Sequence, residues 1–336
     1  VSTSLIASDK LETNGYFFFF KHLIYIFLGL GLILFFSSIN QKNLFDLSIF
    51  LFFVCFILLI LVPFIGSEVK GSKRWLDLFF LPRFQPIELL KPFIIIIIAT
   101  VLSSEKKIHI YVKHLISLIV ILPIVFLLIT QPDIGQTLLI LVCWSIIIFI
   151  SGISLLVFFT FFGTSFFLLI YMIMFIPKFE YIQNRIVSFF NPNEGTHNFQ
   201  SDKAIDSIVS GGFFGKGIGE GTLKNRVPEA HTDYIVSVIS EEFGVVVIIL
   251  LLIFFLSFMY MVFKKIYYEQ DEKTKLVLAG CISLILLQAI IHLGVNIRLF
   301  PTTGMTLPFL SYGGSSIISI SILSGIILNL TKRKIS

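Results

Sequence analysis

The segment VPEAHTDY (residues 227–234) contains the residue whose position most strongly suggests chemistry, Asp233. It lies where a long polar stretch meets an apolar run that continues to Phe263. A carboxylate placed where a membrane helix enters water is costly to bury, and ionisable groups at such positions are candidates for function. Asp233 is therefore a candidate functional-site residue.

His231 and Asp233 could also be interpreted as a pair of metal ligands. A single His-x-Asp is common by chance, so a capping or orienting role for His231 is favoured. The three cysteines, Cys55, Cys143 and Cys281, all fall in apolar runs and are expected to pack as small apolar residues. Their spacing predicts neither a disulfide framework nor a metal site.

Glu88 and Lys91 form a second charged group, in the segment RFQPIELLKP (residues 83–92). Residues three apart share a helix face, and Pro92 favours a kink because it has no backbone N–H. One interpretation is an ion pair whose side chains extend to the membrane interface. The other is a binding site that includes Arg74 in the nearby GSKRW segment, and the kink next to an Arg-Trp pair favours this second interpretation.

Three further segments combine glycine or proline with polar side chains. In QPDIG (residues 131–135), Asp133 is expected to cap the next helix at a tight turn. Glycines at 215, 217, 219 and 221 predict either a flexible hinge, which is favoured, or a backbone nest for a phosphate. The irregular segment 304–316 interrupts an apolar region, which is tolerated only where protein or a cavity covers it; Ser311, Gly313 and Gly314 are therefore candidate site residues.

These segments must be positioned by membrane helices. The chain of 336 residues is 56% hydrophobic, contains 39 Phe and is only 13% charged. Apolar runs of about 20 residues predict helices that cross a bilayer core of roughly 30 Å. The fold class is therefore an all-α, polytopic transmembrane bundle in one domain, residues 1–336. We predict nine spans, at 18–39, 46–65, 86–103, 115–129, 135–150, 153–176, 233–263, 276–296 and 315–330.

The loop charges predict the orientation. The loops on one side carry 11 Lys and Arg in 37 residues, and those on the other side carry 12 in 116. The denser side is expected to be cytoplasmic, which places the large loop 177–232, with Arg185, in the periplasm. The net charge of +5 reflects this bias and does not predict nucleic-acid binding.

Nine spans and an internal C-terminus would place the N-terminus outside, yet no signal is visible there. The sequence begins at Val1. We expect a further transmembrane helix to precede it, with residues 1–17 beginning on the outer side. An unusual start codon is the alternative explanation for the Val.

Six segments, in chain order, resemble the SEDS family of bacterial shape, elongation, division and sporulation glycosyltransferases. They are GSKRW, RFQPIELLKP, QPDIG, SGGFFGKGIGEG, VPEAHTDYIVSVISEEFG and LPFLSYGGSS. GIGEG and PTTGMTLPFLSYGGSS resemble the division branch (FtsW) more than the elongation branch (RodA). Family members have ten spans, so the resemblance also implies that one helix is missing here.

The resemblance implies polymerisation of lipid II, the undecaprenyl-pyrophosphate-linked disaccharide peptide, at the outer face of the inner membrane, most naturally at the division septum. Asp233 matches the family's essential Asp and is the expected base. Substrate contacts are expected from nine residues: Arg74, Glu88, Lys91, Arg185, Glu229, His231, Ser311, Gly313 and Gly314.

Arg74, Lys91 and a divalent cation such as Mg²⁺ or Mn²⁺ would stabilise the negative charge of the leaving pyrophosphate. No organic cofactor is expected. The implied partners are a class B penicillin-binding protein, which is a transpeptidase, and other membrane proteins of the division machinery.

Three positions depart from the family pattern, and none of these departures removes a motif carboxylate or Lys91. They are Ile87 in place of a small residue, Tyr234 in place of Phe, and Arg298 in place of a neutral residue or His. Two other functions remain open. A lipid II flippase would need polar residues through mid-membrane, and a non-enzymatic scaffold of the division complex would not need Asp233, Glu88 and Lys91 together.

Overall fold

The structure is a computed structural model that describes residues 16–69, 71–78, 82–105, 108–176, 179–190, 197–223, 227 and 229–332. Helices dominate these residues, which confirms the all-α prediction. The helices are α1 (Phe17–Ser38), α2 (Gln41–Ile65), α3 (Pro86–Leu102), α4 (Ile110–Thr130), α5 (Ile134–Ile150), α6 (Leu155–Phe175), α7 (Glu180–Phe190), α8 (His197–Gly211), α9 (Ile235–Phe243), α10 (Val245–Tyr268), α11 (Glu272–Asn296) and α12 (Gly314–Thr331).

A short hairpin lies between α2 and α3. Strands β1 (Ser67–Val69) and β2 (Ser72–Trp75) pair in antiparallel fashion, and Gly71 takes a positive φ of 77° at the turn. A separate antiparallel bridge pairs Leu76, which follows β2, with Phe84, which precedes α3. The hairpin fixes the position of Arg74 on β2.

Seven of the described helices are long and apolar enough to cross a membrane: α1, α2, α4, α6, α10, α11 and α12. With the shorter apolar helix α5, they support a multi-pass membrane protein. The predicted spans correspond to observed helices within a few residues, with one exception. The total of nine spans stays a prediction, and the expectation of a preceding helix lies outside the described residues.

The exception is the predicted single span 233–263, which is wrong because the chain breaks at Gly244. Helix α9 ends at Phe243, and Gly244 takes φ 79° and ψ 179° before α10 begins at Val245. These angles are open essentially to glycine alone. The break lets α9 pack against the loop region while α10 continues as the apolar helix.

The chain divides into two compact units that interleave along the sequence. The Asp233 unit comprises residues Val1–Phe18, Gly152–Phe254 and Ala289–Ser311. The Lys91 unit comprises Phe19–Ser151, Phe255–Gln288 and Tyr312–Ser336. The sequence-based assignment of one domain over residues 1–336 stays a prediction.

Helix α12 lies in the interior of the Lys91 unit and packs closely against α1 because glycines line their contact. A Cβ on Gly325 would lie 2.8 Å from Cβ of Phe36, and one on Gly29 would lie 2.5 Å from Ser321 Oγ. Asn329 Nδ2 donates to the carbonyls of Phe36 (2.8 Å) and Ile39 (2.6 Å) at the end of α1. Small residues and side-chain amides are the usual means of helix association in lipid.

Candidate active site

Asp233 lies on a turn that precedes α9 and is organised by Glu229. The carbonyl oxygen of Glu229 accepts hydrogen bonds from the backbone N–H groups of Thr232 (3.1 Å), Asp233 (3.1 Å) and Tyr234 (3.3 Å). Glu229 itself takes a positive φ of 53°, which is uncommon for a residue with a side chain. The turn therefore presents Asp233 at the mouth of a helix, as the sequence predicts.

Two side chains from outside the turn hold it in place. Asn296 Nδ2, at the end of α11, donates to the carbonyl oxygen of Asp233 (3.1 Å). Ser311 Oγ donates to the carbonyl oxygen of Thr232 (2.7 Å) and accepts from the N–H of Leu307 (2.8 Å). Ser311 is buried, so this geometry assigns it a supporting role beside Asp233, and direct substrate contact stays a prediction.

The carboxylate of Asp233 lies near Gly304. A Cβ placed on Gly304, which takes a positive φ of 70°, would lie 3.7 Å from Asp233 Oδ2. Asp233 is half-buried. His231, also half-buried, places its ring 5.9 Å from the ring of Phe18. The capping or orienting role of His231 stays a prediction.

Tyr234, which follows Asp233, anchors the turn to a buried apolar cluster. The cluster comprises Ala204, Val227, Ala230, Tyr234, Val238 and Val295, with Ile291 packed against it. Burial raises the pKa of the Tyr234 hydroxyl, and the negative charges of Asp233 and Asp202 raise it further. The cluster therefore links α8, α9 and α11 within the Asp233 unit.

Glu241 and Glu242 on α9 hold the glycine-rich segment. Glu241 accepts from the N–H of Leu223 (2.9 Å) and from Ser207 Oγ (2.9 Å), and Glu242 accepts from the N–H of Gly219 (3.3 Å). These backbone amides point at the protein's own carboxylates. The segment is thus packed on α9, and neither the hinge nor the phosphate nest is supported by this geometry.

Glu88 and Lys91 form a buried polar network in the Lys91 unit. Lys91 Nζ lies 2.7 Å from Glu88 Oε2 and donates to Gln288 Oε1 (3.1 Å). Gln136 Nε2 donates to Glu88 Oε1 (2.5 Å), and Gln288 Nε2 donates to Ser316 Oγ (3.2 Å). Lys91 is 0% exposed. The pair therefore does not extend to the interface, and in this conformation the ammonium group is enclosed by protein.

Arg74 is anchored to the QPDIG turn. Its Nε donates to the carbonyl of Gln131 (3.1 Å), its Nη2 donates to the carbonyl of Pro132, and its Nη1 lies 3.8 Å from Asp133 Oδ1. Asp133 caps α5, as predicted, by accepting from the N–H of Gln136 (3.4 Å). It also accepts from Gln85 Nε2 (2.7 Å). Burial raises the pKa of Asp133, whereas Arg74 acts in the opposite direction.

Gly313 and Gly314 begin helix α12 in the Lys91 unit. A Cβ on Gly314 would lie 2.3 Å from the ring of Tyr25, so close packing accounts for this glycine. The following Ser315 Oγ accepts from the N–H of Gln85 (3.0 Å). Substrate contacts by the two glycines stay predictions. Arg185 lies on α7, and its side chain is outside the described part of the structure.

The predicted site residues thus fall into two groups. Asp233, Glu229, His231 and Ser311 are brought together in the Asp233 unit. Arg74, Glu88, Lys91, Gly313 and Gly314 lie in the Lys91 unit, and their sharing one cavity with Asp233 stays a prediction. The residues missed from the sequence are Asn296, Gln136 and Gln288. Amide side chains inside apolar helices are costly unless bonded, and that signal could have identified them.

The part of the chain that the structure describes offers no evident donor set for the expected divalent cation. Within the described residues there is no group of three or more His, Cys, Asp or Glu side chains arranged to hold a metal ion. The cation remains a sequence-based expectation, and no step below depends on it.

Comparison with known proteins identifies the family. The family model described as "Cell cycle protein" (FtsW, RodA, SpoVE) matches residues 1–335. A probable peptidoglycan glycosyltransferase FtsW from Caulobacter vibrioides is 31% identical over 309 residues, covering 89% of this chain and 75% of that protein.

Two solved structures share the fold. One, described as a peptidoglycan synthase complex that coordinates polymerization and crosslinking, has a TM-score of 0.79 at 25% identity and covers 94% of this chain and 89% of its own. The rod shape determining protein RodA of Thermus thermophilus has a TM-score of 0.66 at 26% identity, covering 93% and 86%. The chain therefore belongs to the FtsW, RodA and SpoVE family of SEDS membrane proteins.

Proposed function

We propose that this protein is a peptidoglycan glycosyltransferase that polymerises lipid II into glycan strands during cell division. The observation that carries the proposal is the placement of Asp233 on a turn held by Asn296 and Ser311 at the mouth of α9. The relatives named as probable peptidoglycan glycosyltransferases FtsW support the choice of reaction and the division role.

In the proposed reaction Asp233 acts as general base. It removes the proton from the 4-hydroxyl of one sugar while that oxygen forms a bond to the anomeric carbon of a second, lipid-linked sugar. The bond between the anomeric carbon and the pyrophosphate oxygen breaks, and undecaprenyl pyrophosphate leaves with the electron pair. A positioned base contributes about 10²- to 10⁴-fold, and Asp233 returns its proton to solvent before the next cycle.

The leaving pyrophosphate needs positive charge nearby. Arg74 is the more accessible of the two proposed cations, because it is only half-buried, whereas Lys91 is enclosed. We propose that Arg74 contacts the pyrophosphate. Lys91 and Glu88 would support it by fixing the packing of α3.

We propose that the reaction takes place at the periplasmic face of the bacterial inner membrane, because the loop charges predict that the large loop lies outside. We propose the septum as its location because the relatives named FtsW support a division role. The proposed partner is a class B penicillin-binding protein, together with other division membrane proteins. The similar solved structure of a synthase complex that couples polymerization and crosslinking supports such a partner.

The test is glycan synthesis from labelled lipid II by the purified protein with its transpeptidase partner. Asp233→Asn is nearly isosteric and removes the base, so we expect no polymer from a folded variant. Asp206→Asn is the matched control, since Asp206 is an exposed carboxylate of α8 that pairs with Lys203. Normal polymer yield from Asp233→Asn would refute the assignment. A variant that still makes polymer but no longer moves lipid II across the membrane would favour the flippase.

A further inference from the structure

Helix α11 ends in a hydrogen-bond pattern that normally calls for glycine. The N–H of Leu299 donates to the carbonyl of Gly294 (2.7 Å), and the N–H of Arg298 donates to the carbonyl of Val295 (3.1 Å). These paired bonds define a Schellman motif, in which the residue at the Arg298 position is left-handed. Arg298 has a φ of 56°, as the motif requires.

An arginine is a poor choice for that backbone conformation. The Cβ of an L-residue crowds the carbonyl oxygen in the left-handed region, and glycine avoids this crowding. Strained positions of this kind persist where the surroundings hold them in place. The guanidinium group supplies such a hold, because Arg298 Nη1 lies 2.6 Å from Asp202 Oδ1. A charge-assisted hydrogen bond of this length is among the stronger polar contacts.

The ion pair joins two segments that flank Asp233. Asp202 is on α8, whose Ala204 belongs to the same buried cluster as Tyr234. Arg298 follows Asn296 by two residues, and Asn296 donates to the carbonyl of Asp233. The end of α11 therefore contacts the Asp233 turn through one side chain and α8 through another.

We propose that the Arg298–Asp202 ion pair is a latch that positions α8 and the end of α11 around the Asp233 turn, and so sets the geometry of the base. This inference rests on the proposed function for its effect on turnover. Arg298 and Asp202 are positioning residues, because they act through the Asn296 contact and the Tyr234 cluster. The C-terminal half of α8 is held separately by the Ser207–Glu241 hydrogen bond, so the latch controls the half that contains Asp202.

The latch predicts a specific experimental result, because the backbone conformation of Arg298 is unfavourable whereas its side-chain ion pair is favourable. Arg298→Gly relieves the left-handed strain and removes the ion pair. The two side chains are partly exposed, at 24% and 45%, so we expect a modest effect of about three- to fivefold on local opening. Amides in residues 200–206 should exchange faster by that factor, while the thermal midpoint of the whole protein stays the same or rises.

The full chain is examined as four variants: Arg298→Gly, Asp202→Asn, the exchanged pair Arg298→Asp with Asp202→Arg, and the control Lys203→Met. Lys203→Met removes the neighbouring exposed pair with Asp206 on the same helix. Hydrogen exchange and lipid II turnover are measured on each. We expect faster exchange and an about three- to fivefold lower kcat with little change in KM for the first two variants, partial recovery for the exchanged pair, and wild-type values for Lys203→Met.

The exchange measurement tests whether the latch exists, and the turnover measurement tests whether it positions the base. Unchanged exchange in Arg298→Gly shows that the latch does not exist. Faster exchange with wild-type kcat shows that the ion pair holds α8 without positioning the base, which overturns the inference. A folded wild-type protein that makes no polymer contradicts the proposed function, and the exchange measurement then still supports or overturns the latch itself.

Discussion

Asn296 donates a hydrogen bond from its side-chain amide to the backbone carbonyl of Asp233, at 3.1 Å, across 63 residues of sequence. The same amide donates to the carbonyl of His292 (2.8 Å) within α11. Asn296 is 0% exposed. A single buried amide therefore fixes the candidate base relative to the end of a membrane helix.

We predict that Asn296→Leu lowers turnover more than it lowers substrate affinity. Leucine keeps the branched shape of asparagine but cannot donate to the Asp233 carbonyl, and a displacement of about 1 Å can cost up to about 10²-fold in rate. Steady-state kinetics with lipid II should show a kcat at least about tenfold lower with KM changed by less than about threefold. A variant with wild-type kcat would show that Asn296 does not position the base.

We predict that Lys91→Met destabilises the protein strongly. Removing one partner of a buried ion pair leaves the Glu88 carboxylate unpaired, at a cost of about 3–5 kcal/mol. The matched control is Lys265→Met, because Lys265 forms a partly exposed pair with Glu269 (3.2 Å) and such pairs contribute about 0–1 kcal/mol. Unfolding in detergent measures both.

The double change Glu88→Leu with Lys91→Met should recover much of that stability. Direct contact of Lys91 with pyrophosphate, the hypothesis from sequence, predicts the opposite balance: a large loss of turnover with little loss of stability. Kinetics and unfolding on the same preparations separate the two interpretations.

Gly244→Ala is expected to disrupt the break between α9 and α10. A Cβ there would lie 2.1 Å from the carbonyl oxygen of Phe213, in addition to the strain of φ 79°. Gly219→Ala is the control, since Gly219 has a similar φ of 85° and no atom within 4 Å of the added Cβ. We expect about 1–2 kcal/mol for the control and about 1–3 kcal/mol more for Gly244→Ala, measured by unfolding. Equal losses would show that overpacking is not the cause.

Asp271 is expected to stabilise the start of α11, and this stabilisation should be lost in acid. It caps α11, with Oδ2 accepting from the N–H of Thr274 (3.0 Å). Partial burial raises the pKa of Asp271, but hydrogen bonds from Thr274 and Lys273, with the positive charge of Lys273, together lower it more, so the pKa lies below its ordinary value of 3.8. A lowered pKa means that the stabilisation is complete above 3.8 and is lost as the pH falls through the folded-state value.

Asp271→Ala should therefore cost about 1 kcal/mol at neutral pH, and the difference from wild type should shrink in acid. Asp271→Asn, which caps without titrating, should keep a constant difference from Asp271→Ala between neutral pH and pH about 3. Thermal unfolding across this pH range provides the measurement. A difference between wild type and Asp271→Ala that does not change with pH would contradict the assigned role.

The sequence by itself determined the class of fold and the place of Asp233. Apolar runs long enough for a bilayer have few folding options, because each backbone group must be bonded within its own helix. The VPEAHTDY segment identified the candidate base because a carboxylate at a helix mouth stands out against so apolar a chain. Asp133 as a helix cap was predictable for a similar reason, since capping uses only neighbouring residues.

Only the tertiary structure decided how the polar side chains are used. The sequence pattern assigned Lys91 to a substrate, but long-range contacts with Gln288 and its place inside the Lys91 unit enclose it. Gly244 interrupts a run that reads as one helix, because the break depends on the carbonyl of Phe213 lying against it. Asn296 bonds to Asp233, 63 residues earlier in the sequence, and Arg298 bonds to Asp202, 96 residues earlier. Local sequence patterns do not predict such contacts, because they form only when helices distant in sequence pack together.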